Sequence, residues 1–166
     1  MRAGGSKQKG AAFERDICRA LSLWMSEGKR EDLFWRSAMS GGRATVGRRA
    51  GKDIRQGGDI ACVDKLGHRL TDTFCIECKH YKKLRFDSFF LDGIGPLANF
   101  WKQARKQARQ HLKRPMLIAR ENGRRDAIVL IESYYNDSAG RSNKNKVEIF
   151  LLKDLLAQHP KDVVRW

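Results

Sequence analysis

Apolar residues recur at helical spacing in two long segments of the chain. Over residues 10–27, Phe13, Ile17 and Leu21 return at every fourth position, which predicts an amphipathic helix. A second helix is predicted over residues 96–112, where Pro96 suits the first turn. The apolar positions of this second helix form one face: Phe100, Trp101, Ala104, Ala108 and Leu112.

Short runs rich in β-branched and aromatic residues predict strands. They cover residues 33–36, 59–63, 73–79, 116–119, 127–131 and 147–151. Residues 64–67, Asp-Lys-Leu-Gly, predict a turn that joins the second run to the third as a hairpin. A short helix is predicted at 152–158 and an edge strand at 163–164, whereas 82–95 fits no element. This order predicts an α/β fold with a mixed central sheet flanked by helices.

The length of 166 residues predicts one domain. We predict a mobile basic arm over residues 1–9 and a single domain over 10–166. No apolar run approaches the ~20 residues of a membrane span, and the basic start of the chain lacks the apolar core of a signal peptide. The four cysteines are therefore interpreted as reduced thiols of a cytoplasmic protein.

Positive charge changes this picture of an ordinary domain. The chain has 34 Lys and Arg against 19 Asp and Glu, which gives a net charge of +15 and favours a polyanionic partner. Cations cluster in and beside the glycine-rich loop 37–58: Arg36, Arg43, Arg48, Arg49, Lys52 and Arg55. Others share one face of the second helix: Lys102, Arg105, Lys106 and Arg109. We predict that both groups contact nucleic-acid phosphates; the alternative is a solvated loop and a solvated helix face.

Acids on two predicted strands can converge on one site. Asp59 opens the second strand, Glu77-Cys78-Lys79 ends the third, and the predicted hairpin brings Asp59 towards Glu77. Glu77 and Lys79 are two apart and share a face, with the Cys78 carbonyl between them. These oxygen ligands predict a site for Mg²⁺ or Mn²⁺, and Lys79 would stand beside the attacking water. The alternative is a surface salt bridge between Glu77 and Lys79.

Two further side chains are candidates for this site. Glu14 lies in line with the apolar face of the first helix, where a carboxylate needs a metal or a basic partner. It could contribute to a second metal position or hold a water; the alternative is an acid favoured by the helix start. Gln103 could orient a water or a phosphate from the second helix. Cys75, Cys78 and His80 resemble a zinc fragment, but residues three apart in a strand face opposite ways.

In this order the motifs resemble the archaeal-type Holliday junction resolvases of the PD-(D/E)xK nuclease superfamily. The resemblance covers about residues 9–120, through the segment 9–15, Arg36, Ser40-Gly41, Gly58-Asp59-Ile60 and 76–79. It implies a restriction-endonuclease-like fold, with Glu14, Asp59, Glu77 and Lys79 as the catalytic set and Ser40 as a loop serine in catalysis or DNA contact. No proline precedes Asp59, and the loop before it is longer and more basic than in that family.

This resemblance implies that the chain would be a Mg²⁺-dependent homodimer in the cytoplasm of a prokaryotic or phage-infected cell. It would act in DNA recombination and repair by cutting four-way junctions symmetrically to leave 5′-phosphates. Three alternatives stay open at this point. The same chemistry could act on duplex, flap or single-stranded DNA; the chain could bind DNA without catalysis; or its substrate could be RNA.

Overall fold

A computed structural model of the protein describes residues 4–37, 58–132 and 147–164. The helices are α1 (Gly4–Met25), α2 (His68–Thr73), α3 (Phe86–Asp92), α4 (Pro96–Gln110), α5 (Leu152–Leu156) and α6 (Pro160–Val163). The strands are β1 (Phe34–Arg36), β2 (Ile60–Cys62), β3 (Phe74–Tyr81), β4 (Arg114–Glu121), β5 (Ile128–Glu132) and β6 (Val147–Leu151). Within those ranges no helix has both the length and the apolar character needed to cross a membrane.

The central sheet has four strands in the order β3-β4-β5-β6. Strands β3 and β4 run parallel, joined by a crossover through α3 and α4, and the remaining neighbours are antiparallel. Strands β1 and β2 form a separate antiparallel ribbon. The predicted mixed sheet flanked by helices is therefore confirmed.

Each face of the sheet is buried under its own helical layer. On one face, Phe13, Ile17 and Leu21 of α1 pack against alternate residues of β3 and β4, Ile76 and Ile118 among them. On the other face, Trp101 and Ala104 of α4 and Phe89 of α3 pack against Leu117 and Ala119. Since successive strand residues point to opposite faces, Glu77 and Lys79 lie on the α4 side, in register with Leu117 and Ala119.

Several predicted elements differ from the structure. The predicted hairpin is wrong: β2 pairs with β1, and a 3₁₀ turn (Lys65–Gly67) and α2 separate β2 from β3. The edge strand predicted at 163–164 is wrong, because Pro160–Val163 is helical. Helix α1 begins at Gly4, inside the segment predicted as an arm. The unassigned segment 82–95 contains α3.

Candidate active site

Asp59 is held at the edge of β3 by its own backbone. The preceding residue, Gly58, forms a parallel bridge with Ile76. The Asp59 N–H donates to the Ile76 carbonyl (2.8 Å), and the Asp59 carbonyl accepts from the Ser37 N–H (2.8 Å). Asp59 is thus tied to β3 on one side and to the end of β1 on the other, which sets the position of its carboxylate.

Gly58 allows this close approach of two backbones. Its φ is +89°, and a Cβ built on it would lie 2.4 Å from the Ile76 carbonyl oxygen. Only glycine adopts such a φ without strain, and only glycine leaves room for the bridge. A proline at this position is excluded because its ring fixes φ near −65°. The sequence therefore has glycine immediately before Asp59, at the position where the family that its motifs resemble has proline.

Three charged side chains converge at this edge. Lys79 Nζ lies 3.0 Å from Glu77 Oε2 and 3.6 Å from Asp59 Oδ2. The Glu77 side chain is only 2% exposed and that of Asp59 only 9%. The alternative of a surface salt bridge therefore does not describe Glu77 and Lys79. Two buried carboxylates facing one ammonium make a compact site of high local charge, whose acids repel each other.

The protonation of this cluster follows from its burial. Desolvation, together with the Asp59 carboxylate, raises the pKa of Glu77 to about 7 against the attraction of Lys79. Desolvation also opposes the charge of Lys79, but the carboxylates of Glu77 and Asp59 outweigh it and raise the pKa of its ammonium. Lys79 therefore stays cationic near neutral pH, whereas Glu77 changes charge there.

Cys78 takes part through its backbone. Its N–H donates to Asp59 Oδ2 (2.9 Å), which aims that carboxylate along β3. Burial raises the pKa of its thiol well above the usual range, so the sulfur stays protonated in the core beneath α1. A role for Cys78 as a metal ligand thus stays a prediction about its carbonyl oxygen. The zinc alternative finds no support, because Cys75 and Cys78 point to opposite faces of β3.

The donors at this edge suit a hard divalent cation. Asp59 and Glu77 supply carboxylate oxygens, and a bound cation would offset both the desolvation and the repulsion by Asp59 that raise the pKa of Glu77. In the described ranges, no three side chains of His, Cys, Asp or Glu come together as metal ligands. Asp59 and Glu77, two of the predicted carboxylate ligands, thus lie close together. The Cys78 carbonyl, water and phosphate would fill the remaining coordination positions.

The comparisons with known proteins identify the family. A family model described as "Phage putative PDDEXK endonuclease" matches residues 5–164. The chain belongs to this family of PDDEXK endonucleases. The protein is thus a nuclease and a hydrolase with a restriction-endonuclease-like fold. The assignment of Asp59, Glu77 and Lys79 as its catalytic acids and lysine stays a prediction. The comparisons with curated proteins and with solved structures found no match.

Glu14 of the endonuclease is bound by an arginine. Arg36 Nε donates to Glu14 Oε2 at 2.5 Å, so the carboxylate beside the buried face has the basic partner that its position requires. The Ser22 hydroxyl fixes the start of β1 against α1, because it accepts from the N–H groups of Leu33 and Phe34 (3.1 Å each). Sequence reasoning missed Ser22, which looks like any polar residue in a helix. The catalytic role of Glu14 stays a prediction.

The predicted basic face of α4 is divided in the structure. Lys102, Lys106 and Arg109 are exposed, as a phosphate-binding surface requires. Arg105, however, is half-buried and pairs with Glu132 of β5 at 3.2 Å, so it has an acidic partner that the helix pattern did not show. Gln103 is exposed on the same helix, and its predicted role in orienting water or phosphate stays a prediction.

Ser40 and the loop cations Arg43, Arg48, Arg49, Lys52 and Arg55 lie outside the described residues. Arg36 is the member of that basic group within them, and it pairs with Glu14 of α1.

Titration of Glu77 gives a test of the site that needs no substrate. A carboxyl whose pKa is raised in the folded state binds a proton that the unfolded chain has released, so stability falls as pH rises from 4.5 to about 7. In EDTA, Glu77→Gln should therefore be more stable than the wild type at pH ~8, by on the order of 3 kcal/mol, and about equal to it at pH ~4.5. Denaturant unfolding of both proteins at the two pH values measures this.

Mn²⁺ supplies the control for that titration. It should stabilise the wild type at pH ~8, where Glu77 is ionised, and have little effect on Glu77→Gln. A stability difference between the two proteins that does not change with pH would contradict the burial of a titrating carboxyl at position 77.

Proposed function

We propose that the protein is a Mg²⁺- or Mn²⁺-dependent DNA endonuclease that acts on branched DNA, with the four-way junction as its principal substrate. One observation carries the catalytic part: Lys79 Nζ lies within 3.0 Å of Glu77 and 3.6 Å of Asp59 at a buried edge of the sheet. Binding DNA alone does not require two buried carboxylates next to a phosphate. The order of motifs resembling junction resolvases supports the branched substrate.

The chain's own residues have separable roles in this proposal. Asp59 and Glu77, with the Cys78 carbonyl, would hold the divalent cation. When bound, that cation would offset phosphate charge and lower the pKa of a water. Lys79 is cationic, so it would orient the attacking water and stabilise negative charge on the phosphoryl oxygens, and it would not serve as a general base. Hydrolysis would leave the phosphate on the 5′ end.

Paired cuts in a four-way junction require two sites, so the proposal includes a homodimer with two-fold symmetry. A labelled synthetic junction incubated with Mg²⁺, beside linear duplex, flap and single-stranded DNA, tests the substrate. Symmetric nicks on the junction alone are the expected result. Equal cutting of all the duplex substrates would support the nuclease activity and contradict a preference for the four-way junction. Tight binding without cutting in Mg²⁺ or Mn²⁺ would favour a binding protein.

The basic face of α4 gives a graded prediction about DNA binding. Lys106→Ala or Arg109→Ala should weaken binding to all DNA sequences and reduce the slope of log affinity against log salt by about 0.9 for each phosphate that the variant no longer neutralises. Arg105→Ala is the matched control on the same helix, because its ion pair with Glu132 predicts a smaller change in slope. Binding isotherms at several salt concentrations measure both. An unchanged slope in the Lys106 and Arg109 variants would show that α4 does not contact the DNA phosphates.

A further inference from the structure

A groove that opens between α1 and β1 lies beside the candidate active site. Its cavity of about 420 Å³ is within the size range of small-ligand sites. Arg15 and Arg19 of α1 and Trp35 and Arg36 of β1 are among its lining residues.

Trp35 is the unusual residue in this groove. Its side chain is 62% exposed, whereas Trp24 and Trp101 are buried. An exposed indole loses the contacts that make tryptophan stabilising in a core, and it offers a flat surface on which a nucleobase can stack. Arginines on the neighbouring elements add cations that can bind a sugar–phosphate backbone.

The charges of the groove leave Arg15 available to an anion. The two acids of the lining are already paired, Glu31 with Arg19 at 2.6 Å and Asp32 with Arg30 at 2.9 Å. Arg15 is exposed and takes part in none of the ion pairs among the described residues. Arg36 uses Nε for Glu14, which is one of the five N–H donors of a guanidinium.

The groove is joined directly to the catalytic edge. Arg36 both lines it and binds Glu14, and the next residue, Ser37, donates its N–H to the Asp59 carbonyl. Trp35 is therefore two residues from Ser37, whose N–H holds the Asp59 backbone. Two residues span at most ~7 Å of chain. A DNA strand at the site would place a nucleotide close to the scissile phosphate over this groove.

We propose that the groove binds one unpaired nucleotide of the DNA substrate, with its base stacked on Trp35 and its phosphate near Arg15 and Arg36. This inference rests on the proposed function and makes it more specific. The enzyme would recognise an unstacked nucleotide next to the phosphate that it cuts. Branched DNA offers such a nucleotide where strands exchange, whereas an intact duplex keeps its bases stacked and paired.

The test measures binding without divalent metal, so that no cleavage intervenes. In EDTA, Trp35→Ala should bind single-stranded oligo(dT) about tenfold more weakly than the wild type, in the range of one base–aromatic stack. Trp35→Phe should retain most of the affinity. An oligonucleotide of the same length made of abasic sites keeps the phosphates and removes the bases, so the wild type should bind it only as tightly as Trp35→Ala binds oligo(dT).

Leu66→Ala, which truncates another exposed apolar residue (50% exposed), is the matched control and should bind as the wild type does. Equal binding of oligo(dT) and the abasic strand by the wild type would overturn the inference, as would an equal loss of duplex and oligo(dT) affinity in Trp35→Ala. Tighter binding of oligo(rU), with the same dependence on Trp35, would overturn the assignment to DNA. Cleavage that survives in Mg²⁺ after any of these results would leave the proposed nuclease function standing.

Discussion

Replacing Asp59 with asparagine is expected to reduce DNA cleavage by about 10³-fold or more, while DNA binding is retained or becomes tighter. The variant removes one of the two carboxylates that would hold the cation. The resulting loss of cleavage rate should be at least as large as the loss caused by removing one group that stabilises the charge of the transition state. The amide oxygen of asparagine can still accept the Cys78 N–H bond, so β3 should keep its contact with residue 59. Removing a negative charge next to the bound phosphate favours binding.

Cleavage of a labelled junction under single-turnover conditions, together with a binding isotherm in EDTA, measures both parts of this prediction. Glu77→Gln should behave in the same way. Asp72→Asn, at an exposed acid of α2, is the matched control and should cut as the wild type does. Loss of binding in Asp59→Asn, or cleavage within tenfold of the wild type, would reject the assignment of the metal site.

Gly58→Ala is expected to impair folding as well as activity. The added Cβ would lie 2.4 Å from the Ile76 carbonyl oxygen and 2.9 Å from the Ile76 nitrogen, both backbone atoms of the central sheet. Neither atom can move without breaking the bridge that positions Asp59. The positive φ adds its own strain, and together they should cost roughly 3 kcal/mol or more of unfolding free energy.

Gly28→Ala separates these two causes, because Gly28 has a similar φ of +81° and nothing within 4 Å of its added Cβ. It should cost only about 1 kcal/mol and leave cleavage unchanged. Denaturant unfolding of both variants, followed by cleavage assays on the folded fraction, gives the comparison. If the two variants were equally stable, the close approach of Gly58 to β3 would not be the constraint that we describe.

Much of the fold could be predicted because periodicity records which faces are buried. The two long helices follow from apolar spacing, the six strands from runs of β-branched and aromatic residues, and the mixed sheet from the order of these elements. Helix α4 ends within two residues of its predicted end. The connection between β2 and β3 could not be predicted in this way. Residues 64–67 have the composition of a tight turn, yet pairing with β1 and the insertion of α2 direct the chain elsewhere.

Asp59 and Glu77 therefore converge in the structure, but through a different connection from the predicted hairpin. The hairpin would have brought the two acids together as antiparallel neighbours, whereas the structure does so through the parallel bridge of Gly58 with Ile76. Both arrangements place Asp59 beside β3, because both bring the residues at the start of β2 to the edge of that strand. The predicted site geometry depended on this proximity and not on the direction of the strands.

The type of fold, and the placement of Glu77 and Lys79 on one face of a strand, could be read from the amino-acid sequence, because side chains alternate along a strand. How these residues are used depends on tertiary packing. The burial that raises the pKa of Glu77, the pairing of Arg105 with Glu132 and the open groove beside Trp35 all require contacts between segments far apart in the chain. No local pattern records such contacts, since they arise only when the layers pack.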